Sequence, residues 1–145
     1  MMAVFVSLIL GIAGLAAATG RRLPERIGPY DLFLLAAGSH KLSRTVSKDA
    51  VTSPLRAPFT RYSESGGPAE VMEEVRDGGT FRHAVGELIT CPFCLDMWVA
   101  TGLVIGLLFA PRLTRVVTTT FTALTGADLL QLGYAIMQGA AKRAG

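Results

Sequence analysis

Long apolar stretches alternate with short, strongly polar ones along this chain, and that alternation predicts its elements. Residues 1–20 (MMAVFVSLILGIAGLAAATG) carry no charged side chain. About 20 helical residues rise roughly 30 Å, the thickness of a bilayer's hydrocarbon core. The stretch therefore predicts an N-terminal transmembrane anchor. Ala16-Ala17-Ala18 also resembles a small-residue cleavage site, but no basic n-region precedes the apolar run, so a retained anchor is the expectation. Arg21, Arg22 and Arg26 follow as a cytoplasmic flank, and Gly28-Pro29 restarts the chain.

Residues 30–48 predict a helix with Asp31 near its positive N-terminus. Leu32, Leu35, Ala36, Leu42 and Val46 share one face, and His40, Lys41, Arg44 and Lys48 lie opposite. The apolar run 32–37 is too short to span a bilayer. The expectation is an interfacial amphipathic helix with its basic face toward lipid phosphates. Pro54 and Pro58 then predict an extended segment over 51–62, in which Arg56 and Arg61 alternate with Leu55, Phe59 and Tyr62. Residues 63–80 are the most polar and predict a mobile acidic loop, with one short helix around 69–76.

Residues 81–90 predict another helix, which Pro92 ends. Residues 93–110 hold one charge, Asp96. As helix, 88–111 would reach roughly 36 Å, so this is a second transmembrane segment. A third, 116–138, is diluted by Asp128, Gln131 and three consecutive threonines. The predicted fold is thus all-α: an integral membrane protein with three transmembrane helices, or four if 30–48 also crosses, plus the interfacial helix. Its units are the anchor 1–20, the basic segment 30–62, the acidic loop 63–80 and the helical unit 81–138.

Composition agrees with that placement. Charged residues make up 17% of the chain and hydrophobic ones 50%, with mean hydropathy +0.44; soluble domains carry roughly 25% charge. The net charge of +3 is too small to argue for nucleic acid, and no nucleotide-binding loop appears. With 30–48 on the surface, only Arg112 and Arg115 fall outside the cytoplasm. With 30–48 crossing and residues 21–29 inside, most basic residues fall outside. The positive-inside rule prefers the three-span arrangement, which predicts a multi-pass protein of the bacterial inner membrane.

Three constellations bear on chemistry. Cys91-Pro92-Phe93-Cys94 is a single CxxC, with Pro92 suited to the first position of a helix and Cys91 to its N-cap. A helix N-terminus favours a thiolate, but the βαβ pattern of a thioredoxin-like domain is absent. Zinc needs four ligands; His40 and His83 are the only histidines and would complete a set by count, or two chains would pool cysteines. The plain alternative is packing of two small residues, and no cofactor is required. Asp96 and Asp128 are ionisable groups in membrane segments, functional candidates by default, though Asp128 also suits a structural role beside Gln131 and threonine hydroxyls. Lys41, Arg44, Lys48, Arg56 and Arg61 are candidates for contact with anionic lipid or a partner.

The runs DLFLLAAGSHKLSRTVSKDAVTSPLRAPFTRY, GELITCPFCLDMWVA and ADLLQLGYA, over residues 30–136, resemble a bacterial membrane family catalogued as domain of unknown function thirteen-sixty, some members of which are labelled sporulation proteins. The resemblance implies an inner-membrane protein and supplies no reaction. It singles out Lys48, Asp49, Pro54, Arg56, Pro58, Arg61, Cys91, Pro92, Cys94 and Trp98 as positions matching its motifs. No nucleophile–base pair is visible. The leading expectation is therefore a non-enzymatic scaffold that binds lipid, a membrane-protein partner or a second copy through its basic segment. A thiol-redox or zinc protein and a small transporter or channel component using Asp128 are the alternatives.

Overall fold

Prolines open most of the helices of this chain. In the computed structural model, which describes residues 2–20 and 26–144, α1 is Met2–Ala18 and α2 is Pro29–Ser47. A 3₁₀ turn at Ala50–Thr52 leads into α3, Ser53–Arg56. Strands β1 (Thr60–Gly67) and β2 (Glu70–Val75) form an antiparallel hairpin. Then come α4 (Thr80–Thr90), α5 (Pro92–Phe109) and α6 (Pro111–Ala144). Pro29, Pro54, Pro92 and Pro111 all sit in a first helical turn, where the missing N–H costs nothing and the fixed φ is helical. The flanking Arg21 and Arg22 lie outside the described residues.

The fold is mostly helical, as the pattern predicts, with one departure from an all-α fold: residues 60–75 pair as a two-stranded sheet. The expected loop and short helix over 63–80 give way to this hairpin, which turns through Pro68 and Ala69 and carries irregular register near Tyr62/Glu64 and Ser65/Gly67. Over the expected extended run 51–62 the chain instead forms the 3₁₀ turn and α3 as far as Arg56, and only Thr60–Tyr62, the start of β1, are extended. Main-chain bonds fasten the hairpin to the end of α2: Val71 N–H donates to Lys48 O at 2.9 Å and Ala50 N–H to Ala69 O at 2.8 Å.

α2 packs along both α5 and α6. Its first turns meet the start of α6, where the Arg115 guanidinium grips Asp31 through two bonds of 3.0 and 2.9 Å. Ten residues on, Lys41 meets Asp128, so α2 and α6 run parallel. Between those points Thr122 Oγ1 donates to Leu34 O at 3.2 Å and Thr125 Oγ1 to Ala37 O at 3.1 Å. α5 turns into α6 through Ala110, so it runs the other way. α1 runs with α5: the Phe5 ring stands edge-on to Trp98, centroids 5.1 Å apart, and Ile12 and Ala16 share a groove with Ile105 and Leu108.

Among the helices, most of the buried side chains are small polar ones and many large apolar ones are exposed. Among the described residues the buried hydrophobic side chains are Ala16, Leu34 and Leu35, while Ser39, Ser43, Ser47, Thr114 and Thr118 are buried polar ones. Each of those hydroxyls bonds back to a helix carbonyl, as Ser47 Oγ does to Ser43 O at 2.7 Å. Leu8, Leu10, Phe33, Leu113, Leu130 and Ile136 are exposed. Of the expected stripe Leu32, Leu35, Ala36, Leu42 and Val46 only Leu35 is buried: Leu32 is 59% exposed, and Leu34, Gly38, Ser39, Ser43 and Ser47 face inward with Leu35. Small residues win that face because they let two backbones approach closely. By length and composition α5 alone among the described helices is apolar enough to cross a membrane; α1 is apolar over 17 residues.

Gly38 marks the closest approach. A Cβ there would lie 3.1 Å from Thr118 O and 3.3 Å from its Cα, both backbone atoms that cannot swing aside. Gly38→Val is expected to push α2 off α6 at a cost of about 1–3 kcal/mol. Thermal unfolding of the purified protein measures this; an unchanged midpoint would contradict the packing described.

Candidate functional site

The end of α2, the 3₁₀ turn, α3 and the hairpin meet around one buried guanidinium. Arg56 is 1% exposed. Its Nε lies 2.8 Å from Glu73 Oε2, and one Nη2 hydrogen points to Glu73 Oε1 at 3.2 Å. Nη1 donates to Val46 O at 2.7 Å and Thr52 Oγ1 at 2.6 Å, and Nη2 also to Asp49 O at 3.2 Å. All five donors of the guanidinium are thereby satisfied. Glu73 is completed by Ser53 Oγ at 2.5 Å and Thr60 Oγ1 at 2.7 Å. This explains the TSPLRAPFT run chemically: Thr52, Ser53, Arg56 and Thr60 are all partners in one network.

Burial alone would push the Glu73 carboxyl up, but the hydrogen bonds from Arg56, Ser53 and Thr60 and the guanidinium's charge outweigh it and hold it below its ordinary value of 4.5. A lowered carboxyl contributes stability that is complete above the ordinary value and is lost as pH falls through the lowered one. Acid unfolding of the hairpin and the segment 50–56 that it packs on should therefore steepen below pH 4.5. Glu73→Gln is expected to flatten that dependence, followed by circular dichroism between neutral pH and pH 2. Arg56→Met strands the buried carboxylate and is expected to cost about 3–5 kcal/mol; a loss no larger than that of the exposed Arg61–Glu74 pair, about 0–1 kcal/mol, would contradict the network.

The other basic candidates are also paired within the chain. Arg61 Nη2 lies 3.0 Å from Glu74 Oε2. Arg44 bonds Glu70 across the gap to the hairpin. The Lys41 ammonium lies 2.9 Å from Asp128 Oδ2 and 3.5 Å from Asp49 Oδ2. Lys48, the C-cap of α2, has Met72 Sδ at 3.9 Å from its Nζ. Glu70, Glu73 and Glu74 are not among the sequence candidates, and Asp49 is there only as a position matching the family's motifs; the signal for the three glutamates is the acidic content of 63–80 set against the basic content of 41–61.

A cleft of about 670 Å³ opens between α2, α6 and the hairpin turn, with Lys41, Arg44, Asp49, Glu70 and Asp128 on its walls and His40 at its rim. His40 thus belongs to the cleft. His83 pairs with Glu87 one turn along α4, Nε2 to Oε1 3.3 Å. Among the described residues no three His, Cys, Asp or Glu side chains converge as a metal site, so the Cys2His2 set admitted by count is not assembled.

Cys91 closes α4 and caps α5. Its extended backbone (φ −102°, ψ 104°) lets Sγ accept the Cys94 N–H at 3.3 Å, with Pro92 in the first turn behind it. Both thiols are free, Cys91 half-buried and Cys94 exposed. The Cys94 thiol donates to Cys91, the Cys94 and Phe93 amides point at its sulfur, and the Lys48 ammonium adds positive potential; together they hold the Cys91 thiol below its ordinary 9.0. Further along α5, Asp96 Oδ1 is buried without a hydrogen-bond partner.

Residues 34–134, from within α2 to within α6, match a family model described as Protein of unknown function (DUF1360). The chain belongs to this DUF1360 family. No curated protein and no solved structure matches it. The DUF1360 span takes in the Arg56 network, CPFC and all of the cleft's lining but Ala135, and leaves α1 outside.

Proposed function

We propose that this DUF1360 protein is a membrane-embedded dithiol protein, in which Cys91 and Cys94 exchange electrons with a disulfide substrate at the edge of the bilayer. The observation that carries it is the Cys91 sulfur at the N-cap of α5, accepting the Cys94 N–H with Lys48 nearby. In this scheme the Cys91 thiolate attacks one sulfur of the substrate disulfide and expels a thiolate. Cys94, losing its proton to solvent, then attacks Cys91 and expels the second. The substrate gains two electrons and a Cys91–Cys94 disulfide remains.

Support for the membrane comes from the burial pattern of the helices: an aqueous protein hides most of its leucines, whereas here Leu8, Leu10, Leu113, Leu129, Leu130 and Leu132 are exposed while Ser39, Ser43 and Ser47 are buried. Because α2 runs parallel to α6 and packs on α5, the four-span arrangement is the better reading. The hairpin and the C-terminal Lys142 and Arg143 then share one end with CPFC. That end, with most of the lysines and arginines, belongs in the cytoplasm, where cysteine pairs serve catalysis or metals more often than structure. Lipid or partner binding through the basic segment is the weaker reading, because Lys41, Arg44, Arg56 and Arg61 already hold carboxylates.

In purified protein, Cys91 alkylation by iodoacetamide, resolved by peptide mass, is expected to follow a midpoint below 9.0. Equilibration with a glutathione buffer is expected to remove two thiols per chain without dimer formation. A Cys91 midpoint at or above 9.0, or oxidation yielding only intermolecular dimers, would overturn the dithiol reading.

A further inference from the structure

We propose that the cleft between α2, α6 and the hairpin turn binds a small organic cation: a primary ammonium on a short apolar chain. The cavity, about 670 Å³, falls in the range of small-molecule sites, roughly 300–1,000 Å³. It is walled by two parallel helices and by the turn Gly66–Ala69.

The charges in it do not cancel. The Lys41 ammonium is shared between Asp128 at 2.9 Å and Asp49 at 3.5 Å, while Arg44 is matched by Glu70. Three carboxylates, Asp49, Glu70 and Asp128, thus face two permanent cations, Lys41 and Arg44, and one carboxylate is in excess. The surplus is not sealed away. The Lys41 side chain is 15% exposed and Asp49 17%, but Asp128 is 46% exposed. An entering ammonium therefore finds the Asp128 carboxylate first, already pre-oriented by Lys41. Beside it Leu129, Leu132 and Ala135 supply an apolar wall along α6, where a short hydrocarbon chain would lie.

The sign decides the ligand class. Anions, including lipid phosphates, meet the surplus charge as repulsion. A zwitterionic headgroup carries its own phosphate into the same field. A neutral alcohol gains from the apolar wall only. A free ammonium with a short chain uses both features. This site is separate from CPFC, so either reading can fail without the other.

The test is isothermal titration calorimetry of the full chain in non-ionic detergent, with hexylammonium chloride as probe and hexanol, sodium hexanoate and sodium chloride as comparators. Saturable binding of hexylammonium alone is expected. Asp128→Asn is expected to weaken it about tenfold. Lys41→Met, which removes the resident ammonium and leaves both aspartates, is expected to tighten it. Should Asp128→Asn fail to fold, the Lys41→Met arm decides alone. Equal heats from hexanol or hexanoate, no saturable binding, unchanged affinity in Asp128→Asn, or weaker binding in Lys41→Met would each overturn the proposal.

Discussion

Five N–H groups on one side chain hold the polar half of this protein together. The Arg56 fork bonds the last turn of α2 through Val46 O, the 3₁₀ turn through Asp49 O and Thr52 Oγ1, and β2 through Glu73. A lysine would offer three donors without the planar geometry. Buried ion pairs do not in general outperform hydrophobic packing of the same volume, but losing one partner of such a pair is costly. The network's value is therefore geometric. It fixes where the hairpin sits relative to α2, beside which the large apolar side chains Val51, Leu55 and Tyr62 are exposed.

Once the hairpin is fixed, two consequences follow at the same end of the helices. Glu70 comes into reach of Arg44 and the turn Gly66–Ala69 closes one wall of the cleft. The end of α2 is also held beside the α4–α5 corner, so that the Lys48 ammonium acts on the Cys91 sulfur. Gly86 contributes from the other side: a Cβ there would lie 2.5 Å from Val75 Cγ1 and 3.3 Å from Phe59 O, so α4 seats against β2 only because this residue has none. The helices below are joined by a different device, a seam of threonine hydroxyls and small residues with charged clasps at Asp31–Arg115 and Lys41–Asp128.

The helices were legible from pattern and punctuation. Pro29 and Pro92 announced the starts of α2 and α5, and CPFC was recognisable as an N-cap because Pro92 follows Cys91. The hairpin was hidden because its inward positions break the usual code. In β2 the less exposed residues Val71, Glu73 and Val75 alternate with exposed Met72 and Glu74, a strand's period of two. A carboxylate at the centre of the buried side made the run read as solvated loop. Likewise, beyond Leu34 and Leu35 the buried face of α2 is serine and glycine, which a hydropathy wheel assigns to solvent. Both misreadings share a cause: partners distant in sequence, Arg56 for Glu73 and Thr118 for Gly38, supply what the local pattern lacks.

Amide hydrogen exchange of Arg56→Lys against the parent chain tests the central claim most directly, because it reports where protection is lost as well as how much. Protection should collapse together across the hairpin, the 3₁₀ turn and the last turn of α2, while α5 and the α2–α6 seam keep theirs. Parent-like protection in residues 60–75 would contradict the account, as would loss spread evenly over the whole chain.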